Sequence, residues 1–252
     1  MATELDNIEI RPARRRFVQG AAALATTLIA PGILLYKTGQ ASSNGAAKTP
    51  RWGLLIDTNA LSEADVDACV QACQREHGWH SEDGSRTDAQ WIRKVRLSDK
   101  QNGHQRVLPM MCQHCAEPPC VDVCPTGASF KRADGIVLVN KHTCIGCRYC
   151  MMACPYQARS FIHEPLRDQL PVAPRGKGTV ESCTLCVHRV DRDGANAVPA
   201  CAEAVNRNDR KAILFGDLND PDSEISQRLR SVGTTRLRAD LGVDPGVSYQ
   251  GL

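Results

Sequence analysis

Thirteen cysteines are the residues of this 252-residue chain best placed to do chemistry, and their spacing says which chemistry. The densest string runs Cys144-x2-Cys147-x2-Cys150-x3-Cys154-Pro155. Three thiolates at two-residue gaps wrap three corners of an iron–sulfur cube, and a fourth, a turn further along a short helix, faces away and serves the other cube of a pair. Gly146 relieves crowding inside that loop, and Pro155 stops the helix. Cys112-x2-Cys115-x4-Cys120-x3-Cys124-Pro125 is the same device with two extra residues in the middle gap. If the two strings exchange their last members, Cys112, Cys115, Cys120 and Cys154 hold one cluster. Cys144, Cys147, Cys150 and Cys124 then hold the other.

Five cysteines remain: Cys69, Cys73, Cys183, Cys186 and Cys201. Cys69-x3-Cys73 has the spacing of the last two members of such a string, with Thr58 to Ser62 standing where the first two belong. Cys183-x2-Cys186-x14-Cys201 has three members, and Val205 occupies the place of the fourth. The crossover rule applied to this pair leaves one site with Cys69 alone. Its neighbour keeps a full set of Cys183, Cys186, Cys201 and Cys73. The expectation is three [4Fe–4S] clusters on twelve cysteines, with Cys69 a buried, inert thiol. A [3Fe–4S] cluster on Cys183, Cys186 and Cys201, or no cluster there, stays open.

Two other uses of cysteine compete. A disulfide framework has no need of such strings, and neighbouring cysteines in one loop make poor cross-links. Zinc favours isolated Cys-x2-Cys knuckles a dozen or more residues apart, which Cys183-x2-Cys186 alone could be. His114 and His142 lie beside the strings and either donate to a sulfur or face solvent; neither is taken as a ligand, and His77 and His80 read as loop residues. No Ser/His/Asp set, glycine-rich phosphate loop or carboxylate pair stands out. The chain reads as an electron carrier without a catalytic site of its own, its chemistry being the cofactor's.

The elements that position these strings are short. Arg51 to Asp57 (RWGLLID) predicts a strand and Asp65 to Glu76 a helix carrying Cys69 and Cys73. The polar stretch from Glu82 to Gln105 reads as an insertion with one strand near Trp91 to Leu97. Ser129 to Arg132 and Ile136 to Val139 flank Ala133-Asp134-Gly135, a hairpin signal. Strands are also predicted at Arg159 to His163 and Ala212 to Leu218, with a connector from Pro171 to Gly178. The tail from Asp220 has helical periodicity near Ser223 to Leu229 and otherwise reads as an extended arm.

Ahead of all this stands an address. Arg14-Arg15-Arg16-Phe17-Val18-Gln19 precedes an uncharged run from Gly20 to Tyr36 and a small-residue stretch ending Gly39-Gln40-Ala41. That is the layout of a twin-arginine export signal over residues 1–41, followed by a linker over 42–50. A transmembrane anchor is the rival, but Pro31-Gly32 interrupts a run at the low limit for a span. Aromatic residues make up only 4% of the chain, a thin supply for an ordinary core. The net charge of +3 lies mostly in residues 1–41 and carries no basic stripe of the kind nucleic acid requires.

Taken together, RWGLLIDTN, the stretch from Leu108 to Cys124, HTCIGCRYCMMACPYQARSF, CTLCVHR, VPACAEA and LFGDLNDPDSEI resemble the exported multi-cluster subunits of membrane-bound respiratory oxidoreductases. That group includes the electron-transfer subunits of dimethyl sulfoxide, polysulfide and tetrathionate reductases. The flanking words look most like the DsrO-type subunit of the sulfite-reduction-associated DsrMKJOP complex. The resemblance implies an α+β fold of two pseudo-symmetric ferredoxin-like βαββαβ modules. The outer (51–110 with 180–218) would carry one cluster, the inserted inner one (111–179) two, and 219–252 would be the arm. It also implies an integral membrane quinone-interacting subunit and an exported multihaem cytochrome c as partners, on the periplasmic side. The rival assignment is the electron-transfer subunit of a molybdenum-containing reductase of tetrathionate or polysulfide type.

Overall fold

The computed structural model describes residues 49–80, 87–98, 100, 103–166, 169–207 and 210–252. The expected export signal and most of the expected linker lie outside them. Among the described residues no helix is long and apolar enough to cross a membrane.

The fold is mixed α and β, built around a sheet of four strands. The unbroken apolar run of β1 (Trp52–Asp57) suits a strand covered on both faces, and Leu54, Leu55 and Ile56 are buried. It pairs antiparallel with β8 (Ile213–Asp217), Leu54 opposite Phe215. On its other side runs β10 (Val247–Gln250), parallel, with Leu54 opposite Val247. The short β9 (Thr234–Thr235) closes the order β8-β1-β10-β9.

The helix α1 (Glu63–His77) is longer than the sequence predicts, because a capping box starts it early. Ser62 Oγ accepts from the Asp65 amide at 3.2 Å and the Asp65 carboxylate accepts from the Ser62 amide at 2.9 Å. Gly78, at φ 64°, ends it in the left-handed cap that favours glycine.

Between α1 and the cysteine strings stands a hairpin of β2 (Ile92–Ser98) and β3 (Gln105–Met111), Ile92 opposite Met111. The second strand was not expected. Pro109 is tolerated within it because β3 is an edge, whose outward side needs no donor. The strings themselves form α2 (Pro119–Asp122), the hairpin β4 (Ser129–Lys131) and β5 (Val137–Val139), and α3 (Tyr149–Ala153). The strand β6 (Ser160–Phe161) then pairs with β7 (Val180–Glu181). The return passes through α4 (Val187–Asp193) and α5 (Ala200–Val205), which packs on α1.

The tail begins with α6 (Glu224–Ser231), where the periodicity puts a helix. Its end is not merely extended. It re-enters the sheet as β10, with Val247 and Tyr249 fully buried. Val247-Ser248-Tyr249-Gln250 alternates apolar and polar, but over four residues only, a signal too short to single that strand out from sequence.

Candidate iron–sulfur sites

All thirteen sulfurs are unpaired, so no disulfide framework is present among the described residues. Cys112, Cys115, Cys120 and Cys154 line one small pocket, shared with Tyr156 and Arg159. Cys124, Cys144, Cys147 and Cys150 line a second. In each, three sulfurs come from one string and the fourth from the other. Among the described residues, no group of three or more His, Cys, Asp or Glu side chains is arranged to hold a lone metal ion.

A third gathering lies between α1 and the return. Cys73, Cys183, Cys186 and Cys201 interact with one another electrostatically, and Cys69 stands beside them. Its loop is built like the other two. The residue before the second cysteine of the first Cys-x2-Cys pair in each string has positive φ: 43° at His114, 69° at Gly146 and 55° at Leu185. Two of these are not glycine, and left-handed backbone there costs about 1–2 kcal/mol each, held only where surroundings over-determine it. At Gly146 glycine is obligatory for a second reason: a Cβ would meet the Gly178 carbonyl oxygen at 2.1 Å.

Backbone amides point at the sulfurs. Ser129 donates to Cys124 at 3.3 Å, Val180 to Cys144 at 3.4 Å, Ala158 to Cys154 at 3.5 Å, Leu185 to Cys183 at 3.4 Å and Ala200 to Cys186 at 3.4 Å. Side chains add to them. Trp79 Nε1 donates to Cys73 at 3.3 Å, and Arg159 Nη2 to Cys120 at 3.0 Å. Donors aimed at sulfur favour its thiolate form.

Burial works the other way. It pushes the Cys115 and Cys183 thiols up to about 12 and the Cys186 thiol to about 11. Cys73, Cys112 and Cys201 are also raised well above the ordinary thiol value, again chiefly by burial. Such thiols stay protonated at neutral pH unless a metal takes the proton's place. The donor set, the cavities and the amide dipoles therefore fit cubane clusters, which when bound supply one-electron oxidation and reduction.

Cys69 behaves differently. It is fully buried, donates to the Cys201 carbonyl at 3.5 Å and is raised to about 12 by burial, with Asp65 adding to the rise. Cys147 is the opposite extreme, exposed on a rim with Ile145 (67% exposed) and Met152 (74%).

The histidines sort unevenly. His142 and His80 face solvent. His114 is buried, and its Nδ1 accepts from the Val137 amide at 3.0 Å rather than reaching a sulfur. His77 is a correction to the reading of it as a loop residue. It ends α1, is buried, lies tilted against the Trp91 ring at 4.7 Å between centroids and shares a hydrogen bond with Cys186 Sγ at 3.4 Å. Burial lowers it to about 4, so the ring is neutral.

Two supports went unseen in the sequence. Arg159 is a cation where the strand pattern wants an apolar residue, a signal that was available. The tail braces the first cavity: the Ala116 amide donates to the Asp244 carbonyl at 2.9 Å, Gly246 to the Gln113 carbonyl at 2.7 Å, and the Tyr156 hydroxyl to the Leu237 carbonyl at 2.9 Å. No local pattern announces those contacts.

The comparisons with known proteins agree with this chemistry. Residues 104–212 match the family described as a 4Fe-4S dicluster domain. The Hdr-like menaquinol oxidoreductase iron-sulfur subunit 1 of Archaeoglobus fulgidus is 40% identical over 94% of this chain and 97% of its own length. Protein NrfC of Escherichia coli is 40% identical over 92% of each. A tetrathionate reductase subunit of Salmonella typhimurium is 35% identical over 80% of this chain and 73% of its own. With the first two relatives matched over nearly their full lengths, this chain belongs to the family of iron–sulfur electron-transfer subunits of oxidoreductase complexes.

Proposed function

We propose that the chain carries three [4Fe–4S] clusters and relays single electrons within a membrane-bound respiratory complex of sulfur metabolism. The first cluster takes Cys112, Cys115, Cys120 and Cys154. The second takes Cys144, Cys147, Cys150 and Cys124, and the third Cys183, Cys186, Cys201 and Cys73. The observation that carries this reading is the exchange of the last cysteine between the two pockets. The equivalent left-handed turn before Cys186 extends it to the third site. In this reading the outer and inner segments are paired ferredoxin-like modules, and Cys69 binds no iron.

The relatives' names support the partners. A menaquinol oxidoreductase subunit among them favours an integral membrane quinone-interacting subunit as one electron partner. The DsrO-type assignment adds an exported multihaem cytochrome c as the other. The twin-arginine segment puts the chain on the periplasmic side, and the apolar rim of Ile145 and Met152 at Cys147 suits contact with a partner protein.

Anaerobic analysis should return about twelve iron and twelve acid-labile sulfide per chain, as three four-iron cubes demand. Cys73→Ser and Cys186→Ser should erase the same EPR signal, whereas Cys69→Ser should leave the iron content unchanged. A count near eight or sixteen, or separate signals lost in the two variants, would overturn the assignment. Native purification that brought down a molybdopterin subunit in place of a cytochrome c would sink the partner reading.

A further inference from the structure

Arg159 lines one inner cavity, beside the other, and forms no ion pair with a carboxylate among the described residues. Its side chain is buried, the residue only 5% exposed, and lines the cavity of Cys112, Cys115, Cys120 and Cys154. Nη2 donates to Cys120 Sγ at 3.0 Å, while Nε and Nη1 are buried with no hydrogen-bond partner among the described residues. Cys120 and Cys150, one from each cavity, pack in one buried cluster, so the guanidinium held at Cys120 also stands close to the second set of sulfurs. The neighbouring buried arginine is treated differently. Arg175 holds Glu181 through two hydrogen bonds of 2.8 Å and adds a third of 2.9 Å to the Gly78 carbonyl. A buried cation left unpaired is costly, so folds keep one where a negative group is to be met. Among the described residues the third site has no counterpart: its sulfurs are met by Trp79 and His77, and nearby Arg189 is already tied to Glu76 and Glu203.

We propose that Arg159 is the shared counter-charge of the two inner clusters, raising both of their reduction potentials and leaving that of the third cluster untouched. The physical reason is that reduction adds negative charge to a cluster, and a fixed cation in a low-dielectric site favours the more negative state. This rests on the cluster assignment above. It makes one side chain the common setting for two steps of the electron path.

Redox titration followed by EPR tests it on the whole protein, with Arg159→Lys, Arg159→Gln and Arg159→Met compared with wild type and iron content measured on each. The cluster abolished by Cys186→Ser identifies the third site. Arg159→Gln and Arg159→Met should lower both inner potentials by at least tenfold in the reduction equilibrium, about 59 mV for one electron. Arg159→Lys should stay near wild type, and the third cluster should not move in any of them. Unchanged inner potentials in fully loaded neutral variants would overturn the proposal while leaving the cluster assignment intact. A wild-type iron content away from about twelve would overturn both. If the neutral variants fail to load iron, loading of Arg159→Lys supports the charge role, and equal failure of all three refutes it.

Discussion

The two inner strings and the α1–α5 region apply one plan with different outcomes. In the strings, helices of four and five residues present Cys120 and Cys150, and each loop wraps a cavity walled by four sulfurs. Across α1 and α5 the loop cysteines upstream of Cys69 are missing, and so is one at Val205. The turn from Thr58 to Ser62 there carries no ligand. The helix α1 runs fifteen residues from its Ser62–Asp65 box, and Val66, Cys69 and Val205 are buried in the place of a fourth site. One region is organised around what it binds, the other around its own side chains. Losing ligands did not leave a hole, because helix propagation and apolar packing closed it.

Removing the iron should break the comparison most sharply. With thiols protonated and the left-handed turns unsupported, amides at 112–124 and 144–154 should lose hydrogen-exchange protection first. Those of β1, β8, β10 and the first half of α1 should keep theirs. Uniform loss across the chain would show that the filled site depends on metal as much as the open ones.

A smaller effect comes from Val205→Ala, which empties part of the filled site. The lost methyl groups and the cavity they leave should cost about 2 kcal/mol, read as faster opening of α1 and α5, with iron content unchanged. Iron loss in this variant would mean that Val205 supports a cluster directly.

The smallest expected effect concerns the cap. Ser62→Ala removes the side chain that accepts from the Asp65 amide, and about 1 kcal/mol of helix stability with it. Fraying should be confined to the first turn of α1, upstream of Cys69. A change in any cluster's EPR signal would contradict the view that this end of α1 has become purely structural.

Much of the site was legible because ligand spacing is local chemistry. Gly146, Pro155 and the gaps between cysteines report how a loop must turn, and the cavities bring together the sulfurs that the crossed strings imply. The hairpin at 129–139 and the strand at 52–57 were equally readable from turn residues and an apolar run. His77 was misread because its burial depends on Trp91 and His188 arriving from distant segments. The strand β3 holds a proline, which is harmless only at an edge, and edges are not written in a segment.

By itself, then, the cysteine pattern determined the iron–sulfur chemistry, since a cube's corners can be reached only at certain spacings. The tertiary structure alone decided what surrounds the sulfurs: a guanidinium without a carboxylate, a histidine against Cys186, and a C-terminal strand threaded beside β1. Those depend on burial and on partners far apart in the chain, and free energies of that kind are set only when the segments meet.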